Sequence, residues 1–111
     1  MSKVKAVTSK KPAVPKVSAS DYTTQLLEDL KDPAEAAAYV EAAIQEGDRD
    51  GLLMALRQVA AANGGMASIA EQTGLSRESL YRAFSKRGNP TVSTLSCVLA
   101  ATGLRLSVQP A

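Results

Sequence analysis

Apolar residues recur at intervals of three and four from about residue 22 onward, a period typical of amphipathic helices. A first helix is predicted over residues 22–30. A second is predicted to begin at Asp32-Pro33, because Asp32 can accept hydrogen bonds from free backbone N–H groups and a proline suits the first turn. Gly47 is predicted to end this helix, and a third helix is predicted over residues 50–62. The side chains expected to face the core are Leu26, Leu27, Leu30, Ala36, Tyr39, Val40, Ala43, Ile44, Leu52, Leu53, Leu56, Val59 and Ala60.

Residues 66–85 have the spacing of a helix-turn-helix, in which two short helices cross at a steep angle. Ala70 provides a small residue where the helices touch, and Gly74, four residues later, tolerates a left-handed backbone at the turn. Leu80, six residues after Gly74, anchors the second helix against the first. The two helices are predicted over residues 67–73 and 77–84, with Ser76 as N-cap of the second. Three residues are expected to complete their core: Ile69, Leu75 and Phe84.

The C-terminal part is predicted to contain one more helix and a strand. The helix covers residues 92–102, with Thr91 as its N-cap and Gly103 at its end. Residues 104–108 alternate apolar and polar side chains, which predicts a short β-strand that a second copy of the chain would pair. The predicted fold class is therefore all-α with a short C-terminal strand. The inner face of the last helix is expected to be Val92, Leu95, Val98 and Leu99, with Cys97 packed at its edge.

The composition argues against catalysis. The 111 residues suit one domain, and the chain has no histidine, the commonest general base and metal ligand. Cys97 is the single cysteine, so neither an internal disulfide nor a cysteine-based metal site is expected. There is no Gly-rich phosphate loop and no nucleophile with a placed base, so we expect neither an enzyme nor a cofactor. No apolar run is long enough for a membrane span or a secretory signal, and a cytoplasmic location is expected.

Charge is distributed unevenly although the net charge is only +2. Residues 1–20 contain five lysines and no acidic residue, and are interpreted as a flexible basic tail. Residues 21–50 contain nine acidic and two basic residues, whereas residues 51–111 contain six basic and two acidic ones. This distribution favours two kinds of partner, although an acidic solvated surface is the commoner explanation of the middle segment.

The outward face of the second helix of the motif is the candidate DNA-reading surface, because this helix normally enters the major groove. Arg77 or Arg82 is expected to contact guanine, and Glu78 can accept a hydrogen bond from cytosine. The alternative for Glu78 is that it only braces the helix by pairing with Arg82, four residues on. Tyr81 either contacts DNA or covers the edge of the core. The other candidates, expected at phosphates, are Ser76, Ser79, Lys86, Arg87 and Gln72.

Residues 32–106 resemble the HigA-like, often prophage-encoded family described as probable addiction module antidote proteins. The longest matching run is Thr73 to Arg82. The other matching pieces are Asp32-Pro33, Ala37-Ala38-Tyr39-Val40, Glu46-Gly47-Asp48, Ala55-Leu56-Arg57, Ile69-Ala70, Gly88-Asn89-Pro90-Thr91 and Gly103-Leu104-Arg105-Leu106. The resemblance does not cover the basic tail.

The resemblance implies a lambda-repressor-like helical bundle with extra N-terminal helices. It also implies a homodimer that binds a palindromic operator in double-stranded DNA and neutralises a small basic toxin of the RelE/HigB type. Residues 21–111 would then form one DNA-binding domain, in which residues 21–62 are the candidate toxin contact and residues 92–108 the candidate dimer interface. Two alternatives stay open: a stand-alone prophage regulator without a toxin, and a protein-interaction module that does not read DNA.

Overall fold

A computed structural model describes residues 19–111, and this part of the chain is mostly helical. The basic tail predicted for residues 1–20 lies outside the described residues except for its last two positions, which begin the first helix. In chain order the helices are α1 (Ala19–Asp29), α2 (Pro33–Glu46), α3 (Arg49–Ala62), α4 (Gly65–Thr73), α5 (Arg77–Ala83) and α6 (Val92–Ala101). All six helices were expected from the sequence, with ends that agree to within three residues.

Side-chain caps fix the starts of four helices. Asp32 accepts a hydrogen bond from the N–H of Ala34 at 3.0 Å, as its place before Pro33 predicted. Ser76 and Thr91 cap α5 and α6 through the N–H groups of residues 79 and 94, which confirms both predictions. Asp48 caps α3 through the N–H of Asp50 at 3.2 Å, a contact that the sequence analysis did not identify.

The core is centred on α3 and α4. Helix α3 packs against α1, α2 and α4, and α4 in turn packs against α5 and α6. The largest fully buried side chains are Phe84, Ile69, Leu80, Val59 and Val98, so four of the six helices or their immediate ends meet there. Aliphatic residues and alanine supply the rest of the core, in a chain that has one phenylalanine, three tyrosines and no tryptophan.

Two predictions about the apolar faces are wrong, and the strand predicted for residues 104–108 does not form in the single chain. Ile44 and Val92 were assigned to the core, but they are exposed to 51% and 72%. Residues 104–108 form no strand, and no strand occurs elsewhere in residues 19–111. A strand requires a neighbour for its backbone hydrogen bonds, and within one chain nothing is placed to supply it. Cys97 is half-buried at the edge of α6, as expected.

Candidate nucleic-acid interface

A tightly hydrogen-bonded turn joins α4 to α5. Gly74 has a φ of 76°, in the left-handed region that the sequence analysis required there, and its N–H donates to the carbonyl of Ala70 at 2.9 Å. The hydroxyl of Thr73 donates to the carbonyl of Ile69 at 2.8 Å and accepts from the N–H of Leu75 at 3.3 Å. These bonds fix the direction in which the chain leaves α4, and therefore the placement of α5.

The buried side of α5 rests on α4. Leu80 and Phe84 are 1% and 0% exposed, and they join Ile69 and Ala70 in one apolar cluster. Ala70 is buried, as expected for the small residue at a close helix contact. Because these side chains are buried, the opposite side of α5 faces solvent.

That opposite side is entirely polar apart from the ring of Tyr81. The candidate DNA-reading residues of α5 are all exposed: Arg77, Glu78, Ser79, Tyr81 and Arg82. Ser76 is also exposed, and its hydroxyl oxygen accepts from the N–H of Ser79 at 3.2 Å. The structure therefore brings these six candidates together on one short surface.

The arginines of this surface have no acidic partner within residues 19–111. The one ion pair within residues 19–111 joins Lys31 to Glu28, far along the chain from α5. Glu78 and Arg82 form no ion pair in the described chain, but Glu78 lies in the first turn of α5, where its charge suits the positive end of the helix dipole. Cations that are held by no carboxylate remain available for phosphate or guanine.

The loop after α5 is packed tightly against the end of that helix. The N–H of Gly88 donates to the carbonyl of Ser85 at 2.8 Å. A Cβ atom at Gly88 would lie 1.9 Å from the carbonyl oxygen of Ala83, so only glycine fits at this position. Lys86 and Arg87 lie within this loop and are exposed, so both are held beside the surface of α5.

Gln72 is less clearly part of the interface. It is exposed on α4, and its amide donates to the hydroxyl of Ser68 at 3.2 Å, within the same helix. This contact occupies the side chain without pointing to an external ligand.

Sequence reasoning missed one residue that contacts this region. Nη1 of Arg57, on α3, donates to the carbonyl oxygen of Phe84 at 2.6 Å, directly at the end of α5. The signal was an arginine that, with Gln58, stands between the buried residues Leu56 and Val59 of α3. A cation at such a position needs a specific acceptor, because burying a charge without one is costly.

Nine of the eleven acidic residues lie outside α4 and α5, which carry only Glu71 and Glu78. Those of α2 and of the turn that follows it are exposed: Glu35, Glu41, Glu46 and Asp48. None of the acidic residues of residues 21–50 lies on α4 or α5. The described part of the chain therefore has an acidic N-terminal region and a basic region around α5.

Residues 19–111 contain neither a metal-ligand cluster nor a membrane-spanning helix. No group of three or more histidine, cysteine, aspartate or glutamate side chains is arranged to hold a metal ion there. None of the six helices has the length and apolar character needed to cross a membrane.

Comparison with known proteins gives two matches. Residues 20–110 match the sequence model of a family described as "probable addiction module antidote protein". An uncharacterized protein of Haemophilus influenzae is 39% identical over 82 residues, which cover 74% of this chain and 84% of the relative. No solved structure matches the chain significantly.

Proposed function

Because the chain belongs to the probable addiction module antidote protein family, we propose that it is the antitoxin of a type II toxin–antitoxin module. In this proposal it neutralises a small basic toxin of the RelE/HigB type by direct binding. It also binds an operator before its own gene pair and represses transcription. The proposal assigns the chain no enzymatic activity of its own.

The DNA-binding half of the proposal rests on one observation. The solvent-facing side of α5 presents Arg77 and Arg82 with no carboxylate partner in the described chain, and the following loop adds Lys86 and Arg87. A planar guanidinium can bond guanine O6 and N7 together, which is a common base-specific contact in the major groove. The lysine and arginine of the loop suit phosphates, which set position and affinity.

The toxin-binding half rests on charge. The exposed carboxylates of α2, together with those of α1 and the start of α3, give the N-terminal region a negative potential. A basic partner is attracted by such a surface and associates with it faster at low salt. DNA is repelled by it, so the two partners would use different helices of the protein.

A homodimer completes the proposal, with the C-terminal segment as its interface. Leu106 and Val108 are exposed to 43% and 98%, and the segment follows α6, whose first residue Val92 is also exposed. Residues 105–108 make no backbone hydrogen bond within the described chain. Pairing this segment with the same segment of a second copy would satisfy those groups and cover the apolar side chains. Two copies of α5 would then read a palindrome.

The experiment that tests the function is a pull-down of genomic fragments with the purified protein at near-physiological salt, followed by sequencing. The salt concentration must stay near the physiological value, because basic regions retain any DNA when it is low. We expect one enriched palindrome before a two-gene unit whose second product is a small basic protein that copurifies with this chain. An enriched palindrome elsewhere, without a copurifying partner, would show a stand-alone regulator. No enrichment over bulk DNA would overturn the DNA-reading half.

A further inference from the structure

Two neighbouring side chains of α3 connect it to two different helices. Arg57 donates to the carbonyl of Phe84 at the end of α5, whereas the side-chain oxygen of Gln58 accepts from the hydroxyl of Tyr39 on α2 at 2.5 Å. Both bonds are partly buried, and they join residues 27 and 19 positions apart. The pair therefore offers a comparison between a contact to the DNA-reading helix and a similar contact elsewhere.

The end of α5 depends on such contacts more than the end of a longer helix would. The helix has only seven residues, and short helices owe their stability to packing. The carbonyl of Phe84, its C-cap residue, lies beyond the helical hydrogen bonds and requires a hydrogen-bond donor from elsewhere. Arg57 is that partner, and its positive charge suits the negative end of a helix.

Arg57 is also close to the exposed surface of α5. Its side chain and those of Tyr81 and Phe84 border one open cavity of about 250 Å³. Within residues 19–111, no carboxylate forms an ion pair with it. The guanidinium therefore bonds a backbone carbonyl at the end of the same helix that carries Tyr81 and Arg82.

We infer that Arg57 is a positioning residue for DNA recognition: by holding the Phe84 carbonyl it sets the orientation in which Tyr81 and Arg82 meet the major groove. This inference rests on the proposed DNA-binding function. Base contacts require defined donor geometry, whereas phosphate contacts tolerate small shifts of a flexible cation. Loss of the Arg57 bond therefore lowers affinity for the operator more than affinity for random duplex DNA.

The test compares Arg57→Met with Gln58→Met, two neighbouring substitutions of the same kind. Dissociation constants for the operator and for a random duplex of equal length are measured well below the melting temperature of every variant. Arg57→Met is expected to lower the ratio of specific to random affinity by about tenfold, the effect of one disturbed base contact. Gln58→Met is expected to lower the melting temperature and to leave the ratio unchanged.

A third variant, Arg57→Lys, separates charge from geometry. It keeps the positive charge and one donor but loses the planar, forked group, so we expect a ratio between those of the wild type and Arg57→Met. If Arg57→Met does not fold, the test rests on Arg57→Lys alone. The ratio of specific to random affinity is then expected to fall severalfold in that variant. An unchanged ratio in Arg57→Lys would then overturn the inference.

Other outcomes also overturn it. An unchanged ratio in Arg57→Met, with a lower melting temperature, would show that Arg57 only stabilises the end of α5. An equal loss of affinity for both duplexes would show a phosphate contact, and an equal fall in ratio for Gln58→Met would show an effect of stability alone. A wild-type protein that prefers no duplex would refute the proposed function itself, a result distinct from all of these.

Discussion

Charged side chains are used differently in the N-terminal helices and in the region around α5. Several of those in and beside α1 and α2 bond within the protein: Lys31 pairs with Glu28 at 2.6 Å, and Asp29 accepts from the amide of Gln25 at 3.0 Å. Asp32 and Asp48 cap the helices that follow them. Around α5, by contrast, Arg77, Arg82, Lys86 and Arg87 form no ion pair in the described chain.

The difference separates charges that form the fold from charges that are left for a partner. A capping carboxylate stabilises its helix by about 0.5–2 kcal/mol and would be present whatever the protein bound. An exposed cation without a carboxylate adds little to stability and keeps its charge available for phosphate. The charge of a side chain does not show which of these two roles it has. Its hydrogen-bond and ion-pair partners in the structure do.

The largest effect is expected on stability, at Gly88, where the loop after α5 packs against the backbone of that helix. Gly88→Ala places a methyl group 1.9 Å from the Ala83 carbonyl oxygen, a contact that the backbone can relieve only by moving. We expect a loss of at least about 3 kcal/mol in the free energy of unfolding, at the upper end of overpacking effects, or no folded protein. Chemical denaturation followed by circular dichroism measures it.

The control for this substitution lies at the start of α3. Gly51→Ala brings the new methyl group no closer than 3.3 Å to the Asp48 carboxylate, which caps α3 and needs to move by only a few tenths of an ångström. Its expected effect is below about 1 kcal/mol, because alanine also favours a helix. Equal effects at the two glycines would contradict the tight packing of the loop after α5.

The next effect concerns DNA. Arg77→Ala and Arg82→Ala are each expected to weaken operator binding by about 1–3 kcal/mol and to relax the preference for one base pair. Lys86→Ala is expected to weaken operator and random duplex alike and to lower the salt slope by about one unit. Titrations at several salt concentrations by fluorescence anisotropy distinguish the two behaviours.

Arg49→Ala is the matched control for these arginine substitutions, because it removes an equally exposed arginine from the acidic region. Its expected effect on operator affinity is within the error of the measurement. If Arg49→Ala weakened binding as much as Arg82→Ala, the DNA would be attracted by net charge without being read by α5.

A smaller effect is expected in the acidic region. Replacing Glu35, Glu41 and Glu46 by glutamine removes three exposed charges from α2 without touching either of its capping interactions. We expect association with the basic toxin to slow by about tenfold at low salt, with little change at high salt, and DNA affinity to stay the same or rise. Stopped-flow measurements at two salt concentrations test it, and a loss that is independent of salt would contradict steering by charge.

The sequence predicted the helices and the residues of α5 well, because both depend on local rules. The left-handed turn at Gly74 and the caps at Asp32, Ser76 and Thr91 follow from the residues themselves. The apolar side of α5 also followed from its spacing, and with it the exposed side that bears the arginines.

Features that depend on distant partners were not predictable in the same way. Ile44 fits the apolar period of α2, but the other helices do not cover its end of the helix, and it stays half-exposed. The alternation over residues 104–108 predicts a strand only where a neighbouring strand exists. The contact between Arg57 and Phe84 joins residues 27 positions apart, and no local pattern reports it.

The smallest effect concerns Tyr39, whose hydroxyl donates to Gln58 between α2 and α3. Tyr39→Phe removes this bond and is expected to lower the free energy of unfolding by about 0.5–1.5 kcal/mol at neutral pH. DNA binding should not change, because the bond lies in the N-terminal region. Thermal denaturation and operator titration together check both expectations.

The pH dependence of this substitution provides a second check. Burial, and to a lesser extent the neighbouring Tyr22, raises the pKa of Tyr39 above its usual value of 10.0. The unfolded state therefore ionises first, so the contribution of Tyr39 to stability is complete below about pH 10 and declines as pH rises toward the folded pKa. The stability difference between the wild type and Tyr39→Phe should accordingly shrink above pH 10. A difference that grew in that range would mean that the folded protein favours the phenolate, contrary to the burial of this side chain between α2 and α3.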